Sequence, residues 1–208
     1  MAGCWSRQPQ PRSPNRQTKA NSTSSLSAPA RTPRPFYTRS RRLLGFPLKM
    51  LLIRPATIHD VAVLRTMIRE LAEFERLLDH VKITEEELAR DGFGQNPKFR
   101  ALIAEWDGQT AGYAVVFGYY STWAGPGMFL EDLFVREAFR GRGIGKALLA
   151  AVARMAVEER CYGIHWSVLD WNEKAIELYK ALGAEFRDQW RPVMLSGEAL
   201  RRLAEKAL

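Results

Sequence analysis

The sequence predicts an α/β fold built on a mixed sheet, and three observations predict it. Strand-type and helix-type segments alternate from about Met50 to the C-terminus. Two strand-type runs, Phe99–Glu105 and Thr110–Tyr119, are joined through Asp107-Gly108, a hairpin turn signal. A third run, Phe129–Val135, leads into a glycine-rich turn that opens directly onto a helical pattern from Ile144.

The elements follow in order. Met50-Leu51-Leu52-Ile53 reads as a short strand ended by Arg54-Pro55. Thr57, with Asp60 three residues on, marks a helix start, and Val61, Leu64, Ile68 and Leu71 form its apolar stripe. Thr84 and Glu87 repeat that spacing before a short helix that stops at Asp91-Gly92. After the hairpin and Phe129–Val135, the helix from Ile144 places Leu148, Leu149, Val152 and Met155 on one face. Gly163–Leu169 is expected as a strand, and Glu173–Leu182 as a helix ended by Gly183. Phe186 and Val193-Met194-Leu195 are expected in final strands, and Glu198–Ala207 in a terminal helix.

Residues 1–49 differ from the rest. They hold ten Lys/Arg, no Asp or Glu, and seven of the eleven prolines. Such a composition buries too little apolar surface to offset chain entropy, and predicts a disordered extension before a domain over 50–208. A segment translated upstream of a start at Met50, a transit peptide, and a basic arm for nucleic acid or acidic lipid all fit it. The extension also explains the charge. The chain carries +8, but residues 50–208 hold 21 basic and 23 acidic residues, a net of −2. A nucleic-acid footprint on the domain is therefore not expected.

Several classes are excluded. No run of 18 apolar residues suggests a membrane span. Cys4 and Cys161 have no C-x-x-C partner, and His59, His80 and His165 are scattered. No metal and no disulfide framework are expected, and a reducing, cytoplasmic setting is.

The glycine turn, Arg140-Gly141-Arg142-Gly143-Ile144-Gly145-Lys146, has the makings of a diphosphate cradle. A helix N-terminus offers unpaired N–H groups and the positive end of the dipole, glycines permit close approach, and Arg140, Arg142 and Lys146 add charge. A Walker loop fails, because Arg140 stands where its first glycine belongs and Ala147 where its hydroxyl belongs. The dinucleotide pattern G-x-G-x-x-G fails at Lys146 or at Leu148. A glycine turn with solvated arginines is the plain structural alternative.

The turn does match the [RQ]-x-x-G-x-[GA] pattern of GNAT acetyltransferases through Arg140, Gly143 and Gly145. With it, the chain resembles the spermidine/spermine (diamine) acetyltransferase branch of that superfamily. The resemblance runs from about Ile53 to Leu195. It rests also on Ile53-Arg54-Pro55-Ala56-Thr57, Asp91-Gly92-Phe93-Gly94, Leu130-Glu131-Asp132-Leu133-Phe134-Val135, Trp171-Asn172-Glu173, Tyr179-Lys180 and Gly183-Ala184. It implies a splayed, mostly antiparallel mixed sheet flanked by helices, acetyl-CoA in the splay, a small amine substrate and a homodimer.

Acetyl transfer to an amine needs a proton acceptor, because an alkyl ammonium titrates near ~10. It also needs an oxyanion donor and an acid for the leaving thiolate. Tyr179 stands at the family's tyrosine position and is the candidate acid; from spacing alone it reads as a core aromatic beside Ile176. Glu131 and Asp132, adjacent in a strand, are expected on opposite faces, with Glu131 sharing the face of Phe129, Leu133 and Val135. The resemblance makes Glu131 a substrate-binding and proton-relaying carboxylate; a structural ion pair is the alternative. Asp132 is a weaker substrate contact that also suits a structural pairing. The backbone of Leu133, Phe134 and Val135 is expected along the pantetheine arm. Asn172 is a coenzyme contact or a plain N-cap, and Lys180 a phosphate contact or a solvated lysine. Phe74, Glu75, Trp123 and Asp188 complete the implied substrate contacts. Where the polyamine branch has Asp-Pro-Trp, this chain has Ser121-Thr122-Trp123, which loses a carboxylate and puts a shorter diamine or a lysine analogue level with spermine. A non-catalytic coenzyme-binding module, and an acetyltransferase for another amine or a protein N-terminus, are the competing readings.

Overall fold

The computed structural model describes residues 37–41 and 49–206. Six strands form one sheet: β1 (Tyr37–Arg41), β2 (Lys49–Pro55), β3 (Arg100–Trp106), β4 (Gln109–Ser121), β5 (Gly125–Val135) and β6 (Ile164–His165). They lie in sequence order; each pair is antiparallel except β5–β6, which is parallel. Among the described residues, five α-helices accompany them: α1 (Val61–Phe74), α2 (Glu85–Phe93), α3 (Ile144–Glu158), α4 (Glu173–Ala181) and α5 (Gly197–Glu205).

Period-two alternation in β3 and β4 builds a core on each face of the sheet. Leu102, Ala104, Ala114 and Val116 face α3, whose Ile144, Leu148, Ala151, Val152 and Met155 are buried against them. Ala101, Ile103, Tyr113 and Val115 face α1 through Leu64 and Met67. Full burial of each leucine, isoleucine, valine or methionine among them stabilises by about 1.5–3 kcal/mol. Asp107 and Gly108 have φ of 51° and 77°, the left-handed pair that a two-residue hairpin requires. The expected helix starts are present. Asp60 accepts from the N–H and hydroxyl of Thr57, and Thr84 and Glu87 exchange bonds as a capping box.

Four expectations are corrected. Tyr37–Arg41, inside the extension read as disordered, forms a strand on the edge of β2, pairing Tyr37 with Ile53 and Arg41 with Lys49. The open edge of β2 presents unpaired N–H and C=O groups, and pairing with them needs no apolar pattern in the added segment. The rest of 1–49 before Tyr37, and 42–48, lies outside the described residues, as do Ala207 and Leu208. The strand expected over Gly163–Leu169 is only Ile164–His165, because the chain leaves β5 after His165 pairs with Phe129. Neither Phe186 nor Val193–Leu195 lies in a strand. A strand needs a ladder, and none reaches Val193 or Met194, which are 94% and 85% exposed.

The fourth correction concerns β5. Val115 pairs with Asp132 and Val116 with Leu130, so Glu131 is the extra residue of a β-bulge. The bulge switches which side chains face α3. Met128 and Leu130 do so before it, and Leu133 and Val135 after it. Asp132 joins the face of Tyr113 and Phe134, while Glu131 is an exposed side chain and does not sit on an apolar face.

Candidate active site in the splay of the sheet

β5 and β6 pair only at Met128–Phe129 with Ile164–His165 and then diverge. A cavity of about 800 Å³ occupies the opening, lined by β5 from Leu130 to Val135, the glycine turn, Trp166–Leu169, the start of α4 and the end of α1. The bonding of β5 explains why its backbone is available there. Arg136 N–H donates to Ala111 O on β4, so by antiparallel alternation Phe134 also bonds β4. Leu133 and Val135 therefore turn their N–H and C=O groups away from β4, into the splay.

At one end of the cavity lies the start of α3. Gly141 and Gly143 have φ of 74° and 81°, a turn that side chains strain to adopt. No acidic residue stands in the first turn of α3 to neutralise its N–H groups. A methyl group at Gly145 would meet only Val135 Cγ2 at 3.7 Å, an ordinary contact. Protein packing therefore does not require glycine there, and the missing side chain leaves the backbone open to the cavity. These features, with Lys146 on the same wall, fit an anionic diphosphate.

Carboxylates gather at the cavity as well. Glu75, Glu131 and Asp132 all line it. Burial, reinforced by the charges of Glu131 and Glu75, raises Asp132 to about 6 even though the Tyr113 hydroxyl donates to it at 3.1 Å. Burial also pushes Glu75 up. The buried Tyr113 is held well above a normal phenol by desolvation and by the charge of Asp132. Tyr179 lines the same cavity, 7% exposed and edge-on to Trp166 with ring centroids 5.2 Å apart. Burial raises its pKa, so the hydroxyl keeps its proton at neutral pH.

The pattern that describes the acetyltransferase (GNAT) family matches residues 59–184. The chain belongs to the GNAT acetyltransferase family. It is 43% identical over 166 residues to a thialysine N-epsilon-acetyltransferase of Sus scrofa, covering 74% of this chain and 98% of that one. It is 37% identical over 139 residues to a human spermidine/spermine N(1)-acetyltransferase-like protein 1, covering 64% of this chain and 20% of that one. These relatives place it in the diamine acetyltransferase branch. Among solved structures, the aminoglycoside N-acetyltransferase AAC(6')-Iy, determined in complex with CoA, superposes with a TM-score of 0.56 at 24% identity, covering 75% of this chain and 99% of that one.

The fold brings most of the expected GNAT site residues to one cavity. Tyr179, Glu131, Asp132, Leu133, Phe134, Val135, Phe74, Glu75, Arg140, Gly141, Gly143, Ile144, Gly145, Lys146 and Asn172 all line it. Asn172 also caps α4, its Oδ1 accepting from Ala175 N–H at 3.4 Å, so the N-cap reading holds for a residue that also lines the cavity. Four expected residues lie off the cavity. Arg142 turns outward between the rings of Trp106 and Phe139, 5.4 and 5.5 Å from their centroids, and donates to Ala138 O. Lys180 lies over Phe186 at 5.7 Å. Trp123 is 82% exposed on the β4–β5 turn, and Asp188 is exposed in the stretch after α4. Residues not expected at the site also line it: Leu71, read only as part of the apolar stripe of α1, with Phe139, Trp166 and Trp171. Trp171 stands within the Trp171-Asn172-Glu173 motif, the one signal that pointed toward it.

Proposed function

We propose that this GNAT chain transfers the acetyl group of acetyl-CoA directly to the primary amine of a small cationic substrate, with both substrates bound together. The observation that carries the reading is one cavity that joins a diphosphate cradle at the start of α3 to the carboxylates Glu75, Glu131 and Asp132. Gly141, Gly143, Gly145 and Lys146 would hold the coenzyme's diphosphate, and the backbone groups that Leu133 and Val135 turn away from β4 its pantetheine arm. Bound there, acetyl-CoA supplies an activated thioester acyl group.

The chain's own residues do the rest. Glu75 and Glu131 attract the ammonium and orient it. Asp132, at about 6, accepts the ammonium proton more readily than an ordinary carboxylate would. This shifts the proton-accepting role from Glu131 to its neighbour. An N–H that Leu133 or Val135 turns away from β4 is positioned to donate to the acyl oxygen. Tyr179 holds its proton on Oη for delivery to the departing sulfur.

The thialysine N-epsilon-acetyltransferase relatives support a lysine analogue such as thialysine, and a short diamine offers the same primary ammonium. The turn with Ser121-Thr122-Trp123 lies outside this chain's cavity, so the carboxylate lost from it removes no charge from the cavity wall. A homodimer is part of the reading. Trp190, Val193, Met194, Leu195, Leu200 and Leu203 expose an apolar C-terminal stretch that a second copy would cover. No described helix is long and apolar enough to cross a membrane.

The test is thiol release from acetyl-CoA over a panel of thialysine, lysine, ornithine, short diamines, spermidine and spermine. Turnover of thialysine or a short diamine is expected. Tight CoA binding with no turnover of any amine would sink the catalytic reading in favour of a coenzyme-binding module.

A further inference from the structure

We propose that Phe74 and Trp171 form the subsite for the substrate's cation, and that the Arg140 guanidinium fills this subsite until the coenzyme's diphosphate draws it away. The proposal rests on the acetyltransferase reading and deepens it.

Arg140 is bound differently from the arginines that carboxylates hold. Arg54 and Arg136 are held by carboxylates, the first by Asp60 and Glu105 and the second by Glu70. Arg140 has no carboxylate partner among the described residues. Its guanidinium carbon stands 5.0 Å from the centroid of the Phe74 ring, and its Nε donates to Val135 O at 3.0 Å. The Phe74 ring in turn packs on Trp171, with centroids 5.5 Å apart and planes 55° apart. The stack links the end of α1, the glycine turn and the loop before α4, and all three residues line the cavity with Glu75, Glu131 and Asp132.

Aromatic faces beside carboxylates are the chemistry that recognises an organic cation. The Phe74 and Trp171 rings remain 37% and 48% exposed, so a ligand has access to them. The guanidinium of Arg140 lies on Phe74 as a substrate ammonium would. It also caps Val135 O, one of the backbone groups turned into the splay. A diphosphate at the start of α3 offers Arg140 charge-assisted, two-point bonding, which is stronger than a ring face and one carbonyl. Coenzyme binding therefore vacates the cation subsite and uncovers Val135, and the amine binds after the coenzyme.

The test is calorimetric titration of 1,5-diaminopentane, with CoA in place of acetyl-CoA so that nothing reacts. Saturating CoA should tighten diamine binding to the wild-type chain about tenfold, and Arg140→Ala alone should match that tightness without CoA. Trp171→Ala, with CoA present, should weaken the diamine about 5- to 10-fold while CoA affinity stays unchanged, and Trp171→Phe should restore most of the loss. A merely structural Trp171 would lower CoA affinity as well. Equal diamine affinity with and without CoA, or no gain in Arg140→Ala, overturns the proposal, as does the absence of any diamine binding. Turnover of the amine panel without this coupling would leave the acetyltransferase reading standing and remove the subsite. Coupling without turnover would do the reverse.

Discussion

Two aspartates show how environment sets the sign of a carboxylate's effect. Asp60 is bonded by both Nη atoms of Arg54 and by Thr57, and the Arg54 bonds hold it down at about 2. Its folded pKa lies below the unfolded value, so its stabilisation is present above about 4 and is lost as pH falls toward 2. Asp132, raised by burial to about 6, has the opposite sign. Its ionisation opposes folding at neutral pH, and stability rises as pH falls from about 6 toward 4. At pH 7.5, Asp60→Asn should lower unfolding free energy by about 1–3 kcal/mol, and Asp132→Asn should raise it by a similar amount, both read by denaturant titration. If Asp132 accepts the substrate proton, wild-type kcat/KM falls with an acid limb near 6, and Asp132→Asn removes that limb along with most of the activity. A limb unchanged in the variant would return the role to Glu131. Tyr179→Phe should cut kcat about 100-fold with CoA affinity preserved, because it removes one hydroxyl from a ring already packed on Trp166.

At the scale of elements, the start of α3 separates ligand binding from folding. A methyl at Gly145 meets only Val135 Cγ2, and alanine favours a helix over glycine by roughly 0.5–1 kcal/mol. Gly145→Ala should therefore leave thermal stability equal or slightly higher while weakening CoA about tenfold by calorimetry. A variant that loses both together would make Gly145 a packing residue. Arg142 belongs to the same turn but not to the cradle, since it is gripped by Trp106 and Phe139. The bulge at Glu131 is the matching device on β5. One extra residue turns Asp132 onto Tyr113 and leaves Glu131 exposed at the cavity, so two adjacent carboxylates serve one site.

The molecule as a whole divides the extension from the chemistry. Every residue that lines the large cavity lies between Leu71 and Tyr179, on the far side of the sheet order from β1. Deleting residues 1–49 should leave kcat/KM for the amine unchanged. It should lower melting temperature and raise aggregation, because it strips the backbone partner from the β2 edge. Loss of acetyl transfer on that deletion would tie the extension to the site. Light scattering of residues 50–208 should report a dimer, and charged replacements at Val193 and Met194 should shift it toward monomer.

Much of this was legible in the chain itself. Local patterns carry their own physics. Asp107-Gly108 specifies a hairpin because few residue pairs adopt its φ values, and Thr84 with Glu87 specifies a helix start through two bonds three residues apart. Arg140 to Lys146 specifies a tight glycine turn at the head of a helix, where backbone N–H groups are left unpaired. The family followed from such motifs. What periodicity missed depends on partners distant in sequence. The bulge at Glu131 is a register shift between two strands, and the proton affinity of Asp132 comes from the desolvating pack around Tyr113 and from Glu75, 57 residues away. The strand at Tyr37–Arg41 exists because an edge was open, and Val193–Leu195 forms none because no edge reaches it. The sequence by itself determined that a diphosphate and an amine meet in an acetyltransferase, since those signals are local. Only the tertiary structure decided which carboxylate is desolvated and which guanidinium lies against the aromatic stack, because desolvation and through-space charge exist only once the chain has folded.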